Sequence, residues 1–278
     1  MITKIIACSD IHIPPYRKIG ELHGTLEKFI NQCKDIAEEN GPDNVRIIIA
    51  GDVFDAKLSI TNESLLEVNW FFSELDKICK TYVLAGNHDL LITNMDRIDS
   101  LTPLFEIGQY KNVVYIEKEL GYRSGIIEDD NIRICSFSCF DGFSAPSIKA
   151  EREKSPDAIY VGVIHGDING AISVTSYVTE NGIEPALFED CDFVIAGHIH
   201  KRQEIKKNGV RIVYCSSLRQ KEFGESVTGH GFVLWNLEDE FDITYKFVDI
   251  ENEDGGFYKF AISDKDDINN DKEELINY

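Results

Sequence analysis

Long apolar runs are missing from this chain of 278 residues. None approaches the roughly 18 residues that a membrane-spanning helix needs. Proline-, glycine- or serine-rich linkers and internal repeats are missing too, so one folded body is the simplest organisation. No C-x-x-C pair occurs among the seven cysteines, which lie mostly inside apolar runs and read as reduced core residues. Positive charge is scarce: 28 Lys and Arg face 49 Asp and Glu, a net charge of -21. That balance argues against long-range attraction to nucleic acid or to an anionic membrane. Met1-Ile2-Thr3-Lys4 leads straight into an apolar run, so no signal peptide is expected.

The acidity is uneven. Residues 238–278 hold 14 acids against 4 lysines and no arginine, so this stretch contributes -10 and the rest of the chain -11. Against this background stand five short islands, each just after a run that reads as a buried strand: Asp10-Ile11-His12, Gly51-Asp52, Gly86-Asn87-His88-Asp89, His165-Gly166 and Gly197-His198-Ile199-His200. Five of the seven histidines fall in them. Carboxylates, an amide and imidazoles with no thiol suit a pair of divalent first-row metals. Asp10 and His12, two residues apart on an extended chain end, face the same side and can chelate one cation. Gly51 would let the chain bend so that Asp52 bridges two ions. His198 and His200 again face one way. Together the islands read as a two-metal phosphoesterase, and cations bound by the body's acids would offset part of its charge.

Lys4 to Ser9, Val45 to Ala50 and Thr81 to Ala85 read as buried parallel strands. Between them Leu22, Leu26, Phe29, Ile30, Cys33, Ile36 and Ala37, then Leu65, Val68, Phe72, Leu75 and Cys79, recur at helical spacing. Right-handed crossovers in such a unit place ligand sites beyond the carboxyl ends of the strands, where the islands fall. The second half predicts strands at 113–116, 132–137, 159–164, 193–196, 210–215, 231–237 and 241–247, with Asn208-Gly209 turning a hairpin between 203–206 and 210–214. A second, mixed sheet packed on the first is expected, with helices on the outer faces. Residues 1–249 read as the catalytic domain and 250–278 as an acidic tail, with one edge strand at 257–262 and weak order after it.

The whole set from Asp10 to His200 resembles the calcineurin-like metallophosphoesterase superfamily. The resemblance implies an α/β fold, the four-layer αββα sandwich of two mixed β-sheets flanked by helices. It implies two divalent ions, one held by Asp10, His12, Asp52 and His200 and the other by Asp52, Asn87, His165 and His198. Mn²⁺ suits these ligands best, with Mg²⁺ or Fe as alternatives. His88 is left to contact the phosphate and protonate the leaving oxygen, with Asp89 beside it to orient it.

Three further stretches are similar to the SbcD-type DNA exonuclease branch, which includes the recombination endonuclease subunits of large phages. They are Gly51-Asp52-Val53-Phe54-Asp55; Asn87-His88-Asp89 with Asn94 and Asp99-Ser100-Leu101; and Tyr214-Cys215-Ser216-Ser217-Leu218 with Phe223-Gly224-Glu225. This likeness implies a metal-dependent DNA nuclease, exo- or endonucleolytic, acting in recombination, repair or replication. It implies a homodimer working with an SMC-like coiled-coil ATPase; the lack of a signal peptide and of a membrane-spanning run predicts a soluble protein of the cytoplasm, the host's if the protein is phage-encoded. An apolar segment from Leu90 to Phe105 is a candidate dimer face, with core packing as the alternative. Only 31 residues follow Phe247, too few for the capping and ATPase-docking regions of larger members. Lys201, Arg202, Lys206, Lys207, Arg211, Arg219 and Lys221, against Glu204 alone, make a stretch of +6 directly after the last island. Of these, Lys201, Arg202, Arg219 and Lys221 are the expected phosphate contacts. The alternative function is a small-molecule cyclic nucleotide phosphodiesterase or phosphatase on the same metals.

Overall fold

A computed structural model describes residues 1–15, 19–57, 59–91, 93–94, 96–207, 209–238 and 242–251. The edge strand expected at 257–262, the acidic tail beyond 251, Ile92, Asn208 and Phe241 lie outside the described residues. The first half alternates as expected: β1 (Lys4–Cys8), α1 (Ile19–Asn40), β2 (Val45–Ala50), α2 (Asn62–Asp76) and β3 (Lys80–Leu84), then α3 (Thr102–Ile107), β4 (Val113–Tyr115) and α4 (Ile116–Glu119). After it come β5 (Gly125–Asp129), β6 (Ile132–Phe137), α5 (Ile148–Lys154), β7 (Ile159–His165), β8 (Phe193–Gly197), β9 (Gln203–Lys207), β10 (Val210–Tyr214), β11 (Gly231–Asn236) and β12 (Thr244–Asp249). A capping box starts α2, with the Thr61 hydroxyl accepting from the Ser64 backbone N–H.

Two six-stranded sheets result, in the orders β12-β11-β1-β2-β3-β4 and β5-β6-β7-β8-β10-β9. In each, four neighbouring strands are parallel and the remaining strands are antiparallel additions. The two-residue period of a strand builds the layers. Ile5, Ala7, Ile48, Ala50, Tyr82 and Leu84 of the first sheet share one apolar cluster with Ile134, Val161, Val163, Phe193, Ile195 and Val213 of the second. Their neighbours Ile6, Cys8, Ile47, Ile49 and Val83 belong to another cluster, with Leu26 and Phe29 of α1 and Phe71 and Phe72 of α2. On the far side, Phe137, Tyr160, Ile164, Val194 and Tyr214 cluster with Ile148 of α5 and with Phe188. The fold is therefore the expected four-layer sandwich of two mixed sheets flanked by helices. All seven cysteines are free, six of them buried. No helix among the described residues is long and apolar enough to cross a membrane.

Several elements differ from expectation. Strands β4, β11 and β12 join the first sheet. Strand β11 runs antiparallel to β1 in the register Ile5↔Trp235, which puts the Trp235 ring on Phe193 of the second sheet, 4.0 Å between centroids. Burying two such rings is worth on the order of 2–3 kcal/mol each. Strand β5 has no counterpart in the sequence reading, because its Gly-Ile-Ile-Glu-Asp is a half-exposed edge with little alternation. Its last residue, Asp129, ties the sheets together: Arg46 of β2 forks onto it at 2.6 and 3.2 Å, and the Tyr82 hydroxyl donates to it at 2.8 Å. In the 90–105 segment Leu90, Leu101 and Leu104 are core residues, whereas Ile98 is exposed.

Glu117 of α4 is fully buried, and one of its carboxyl oxygens meets only the Ser138 hydroxyl, at 2.7 Å. Burial, reinforced by the charges of Asp99 and Asp141, pushes its pKa up to about 8 although the serine favours the anion. The folded protein thus keeps a proton that the unfolded chain releases above about pH 4.5, so this residue's effect on stability worsens as pH rises from there to about 8. Urea unfolding of wild type and Glu117→Gln at pH 5 and pH 8.5 checks this. The variant is expected to gain on the order of a few kcal/mol relative to wild type between the two pH values.

Candidate metal centre

The carboxyl ends of β1, β2 and β3 meet those of β7 and β8 at one seam, and all five islands lie along it. Space there is short. A Cβ on Gly51 would sit 2.4 Å from His165 Nδ1, and its φ of +90° suits glycine in any case. A Cβ on Gly86 would sit 2.2 Å from Asp52 Oδ1 and 2.3 Å from the Asp52 nitrogen. Four polar residues of the seam, Asp10, His12, Asp52 and His198, hold positive φ angles of 53°, 51°, 55° and 98°. Non-glycine residues rarely adopt that conformation, and such strain gathers at functional sites. The surroundings enforce it: Asp10 N–H donates to the Gly51 carbonyl, His12 N–H to the Asp52 carbonyl, and His198 N–H to the Asp10 carboxylate.

The structure brings together all seven residues expected to hold metal. Around one point His12 Nε2 lies 3.0 Å from His200 Nε2, 3.8 Å from Asp10 Oδ1 and 3.7 Å from Asp52 Oδ2, and His200 Nε2 lies 3.5 Å from Asp10 Oδ1. Around a second, His165 Nε2 lies 3.2 Å from Asp52 Oδ2 and 3.1 Å from Asn87 Oδ1, and His198 Nδ1 lies 2.7 Å from Asn87 Oδ1. Asp52 Oδ2 is common to both. The outer ring nitrogens are spoken for. His165 Nδ1–H donates to the Ala50 carbonyl at 2.8 Å, His200 Nδ1–H to Glu225 at 2.6 Å, and His198 Nε2 faces Asp167 at 3.2 Å. That arrangement turns a lone pair of each of these rings inward, as metal-binding histidines require.

Electrostatics say the same. Burial opposes ionisation of Asp10, yet the hydrogen bond to His200 and the nearby imidazoles hold its carboxyl far below the ordinary range. Burial also opposes ionisation of Asp52, and His165 overcomes it, holding that carboxyl at about 2. Burial works against a charged His165, but the Asp52 carboxylate raises the imidazole to about 9. Two buried carboxylates that stay anionic, with imidazole and amide donors aimed at the same two points, fit a pair of divalent cations.

Two expectations need correction. Asp89 does not orient His88. Its carboxylate accepts from the backbone N–H groups of Gly86, Val53 and Phe54 at 2.9–3.2 Å, and burial, with the charge of Asp52, pushes it up to about 7. It clamps the β2 and β3 exits together, while His88 Nδ1–H donates to the Asp55 carbonyl at 2.5 Å. The basic stretch is not an open patch either. Arg202 pairs with Asp249 at 2.5 Å and Arg219 with Glu21 at 3.6 Å; of the four expected phosphate contacts only Lys201 is exposed. Lys221 does reach the site, its ammonium 3.1 Å from His12 Nδ1 and 2.9 Å from Asp55. Asp55, Asp167 and Glu225 are partners that the sequence reading did not assign. The available signals were Asp55 three residues after Asp52, Asp167 two after His165, and Glu225 four after Lys221, the last residue of the basic run.

Gly86→Ala provides a check on the seam. Its methyl displaces Asp52, the carboxylate common to both clusters, so the variant is expected to bind at least one fewer Mn²⁺ by calorimetric titration. In urea it should lose about 1–3 kcal/mol of stability.

Comparison with known proteins agrees with this geometry. Residues 3–202 match the family model described as calcineurin-like phosphoesterase. The chain is 28% identical over 263 residues to the uncharacterised protein R555 of Acanthamoeba polyphaga mimivirus, a match that covers 91% of this chain and 18% of R555. It is 26% identical over 215 residues to protein 244L of Invertebrate iridescent virus 6, provisionally named a phosphoesterase, covering 76% of this chain and 70% of that protein. The fold is shared with the solved structure of GAP50, the anchor in the inner membrane complex of Plasmodium, at a TM-score of 0.51 and 12% identity, over 91% of this chain and 86% of GAP50. With the matched region spanning every island from Asp10 to His200, the chain belongs to the calcineurin-like phosphoesterase family.

Proposed function

We propose that the chain is a metal-dependent DNA nuclease, hydrolysing phosphodiester bonds at a pair of divalent ions, most naturally Mn²⁺. Asp10, His12, Asp52 and His200 would hold one ion and Asp52, Asn87, His165 and His198 the other. When bound, such a pair lowers the pKa of water and neutralises charge developing on a phosphoryl group. The chain's own contribution is then to hold the ester and supply a proton. The surroundings of His88 support its taking the second task. Its Nδ1–H is fixed on the Asp55 carbonyl, and its ring stands edge-on to His12, 4.8 Å away, leaving Nε2 as the end that can protonate a leaving oxygen.

The observation that carries the polymer reading is the return of the basic stretch to the site: it begins at exposed Lys201, directly after His200, and ends with the Lys221 ammonium beside His12. Lys201 and Lys221 could hold phosphates flanking the scissile one. Resemblance to the SbcD-type branch supports the same reading and suggests the context of recombination, repair or replication, an SMC-like ATPase partner and a homodimer, for which exposed Ile98 and Ile107 offer contact points. One observation favours a small-molecule nucleotide phosphoesterase instead. Arg202 and Arg219 are already paired with Asp249 and Glu21, which leaves less free charge for a long polyanion.

End-labelled single- and double-stranded DNA, cyclic nucleotides and nucleoside monophosphates, each incubated with Mn²⁺, Mg²⁺ or EDTA, separate the two readings. DNA is expected to be degraded in Mn²⁺ and spared in EDTA. His88→Ala should lower that rate about 10²- to 10⁴-fold, and far less on a p-nitrophenyl ester, whose leaving group needs no proton. Turnover of the small phosphates with DNA untouched would assign the chain to the second reading.

A further inference from the structure

We propose that Glu225 is a positioning residue for the first ion, fixing with its two carboxylate oxygens both a ligand of that ion and the loop that brings Lys221 to it. The inference rests on the two-ion reading of the site. Glu225 lies 25 positions after His200, on the loop between β10 and β11, and its side chain is 1% exposed. A carboxylate so buried is costly unless it is well partnered. Its partners are specific. Oε1 accepts from His200 Nδ1–H at 2.6 Å, and Oε2 accepts from the Lys221 backbone N–H at 2.8 Å.

Both arms lead to the same place. The first leaves His200 Nε2 bare and pointing at Asp10 and His12. The second closes the turn from Lys221 to Glu225, which the Gln220 amide also braces by donating to the Glu225 carbonyl at 2.9 Å. From that turn the Lys221 ammonium reaches His12 Nδ1 and the Asp55 carboxylate. His12 and His200 are thus held from behind by one connected set of groups with Glu225 at its centre. No comparable link runs from Glu225 to Asn87, His165 or His198 among the contacts described. Losing Glu225 should therefore loosen one ion and spare the other. Second partners of metal-bound histidines are commonly worth 10- to 100-fold in metal affinity.

The test is Mn²⁺ titration of wild type, Glu225→Ala and Glu225→Gln, followed by calorimetry and by electron paramagnetic resonance, which separates a coupled pair from a single ion. Wild type should take up two coupled ions. Glu225→Ala should bind one of them about 10- to 100-fold more weakly and give the signal of a lone Mn²⁺ at intermediate loading. Glu225→Gln keeps an acceptor for only one of the two donors and should fall between. Unchanged affinity and coupling in both variants overturns the proposal, as does equal weakening of both ions. If Glu225→Ala does not fold, Glu225→Gln decides alone: selective loss of one ion upholds the role, and wild-type binding refutes it. Wild-type protein that binds no ion pair would sink the two-ion reading itself, an outcome separate from any change among the variants.

Discussion

Where the carboxyl ends of their strands converge, the two packed β-sheets are joined by a hydrogen bond from His165 Nδ1–H at the end of β7 to the Ala50 carbonyl at the end of β2. Much of the site depends on that contact. It sets the His165 tautomer so that Nε2 faces Asp52 and Asn87, and it brings five strand ends so close that Gly51, Gly86 and Gly197 have no room for a side chain. The crowding is what puts Asp52 Oδ2 within reach of both donor sets. It also explains the left-handed backbone at Asp10, His12, Asp52 and His198, a strain that only a well-packed sandwich can hold.

The sandwich supplies that rigidity from layers that are apolar on both faces. Alternate residues of β1, β2 and β3 serve the inter-sheet core and the helical layer, so these strands cannot slip by one position without turning each side chain to the wrong layer. Asp89 adds a local clamp. Its carboxylate gathers the N–H groups of Gly86, Val53 and Phe54, and so fixes the turn that carries Asn87 and His88 to the turn that carries Asp52.

The residues that gather into the two donor clusters were legible in the sequence because ion-binding chemistry demands particular side chains within a few residues of a strand end, and buried strands announce themselves as apolar runs. The neighbours of those residues were not. Asp89 adjoins His88, but adjacent side chains in a tight turn diverge, and the group that holds His88 is a backbone carbonyl, invisible in any motif. Glu225, Asp249 and Glu21 act across distances in sequence that only the folded chain closes, so the charges of Arg202 and Arg219 looked free when each has an acid beside it. Strand β11 reads as one more second-half strand until its pairing with β1 is seen, and β5 alternates too little to register as a strand.

The proposed chemistry requires two ions sharing one carboxylate. Crystals grown with Mn²⁺ and measured at the manganese absorption edge test that directly. The predicted result is two anomalous peaks at the seam, one among Asp10, His12, Asp52 and His200 and one among Asp52, Asn87, His165 and His198, both in contact with Asp52. A single peak, or peaks that do not touch Asp52, would contradict it.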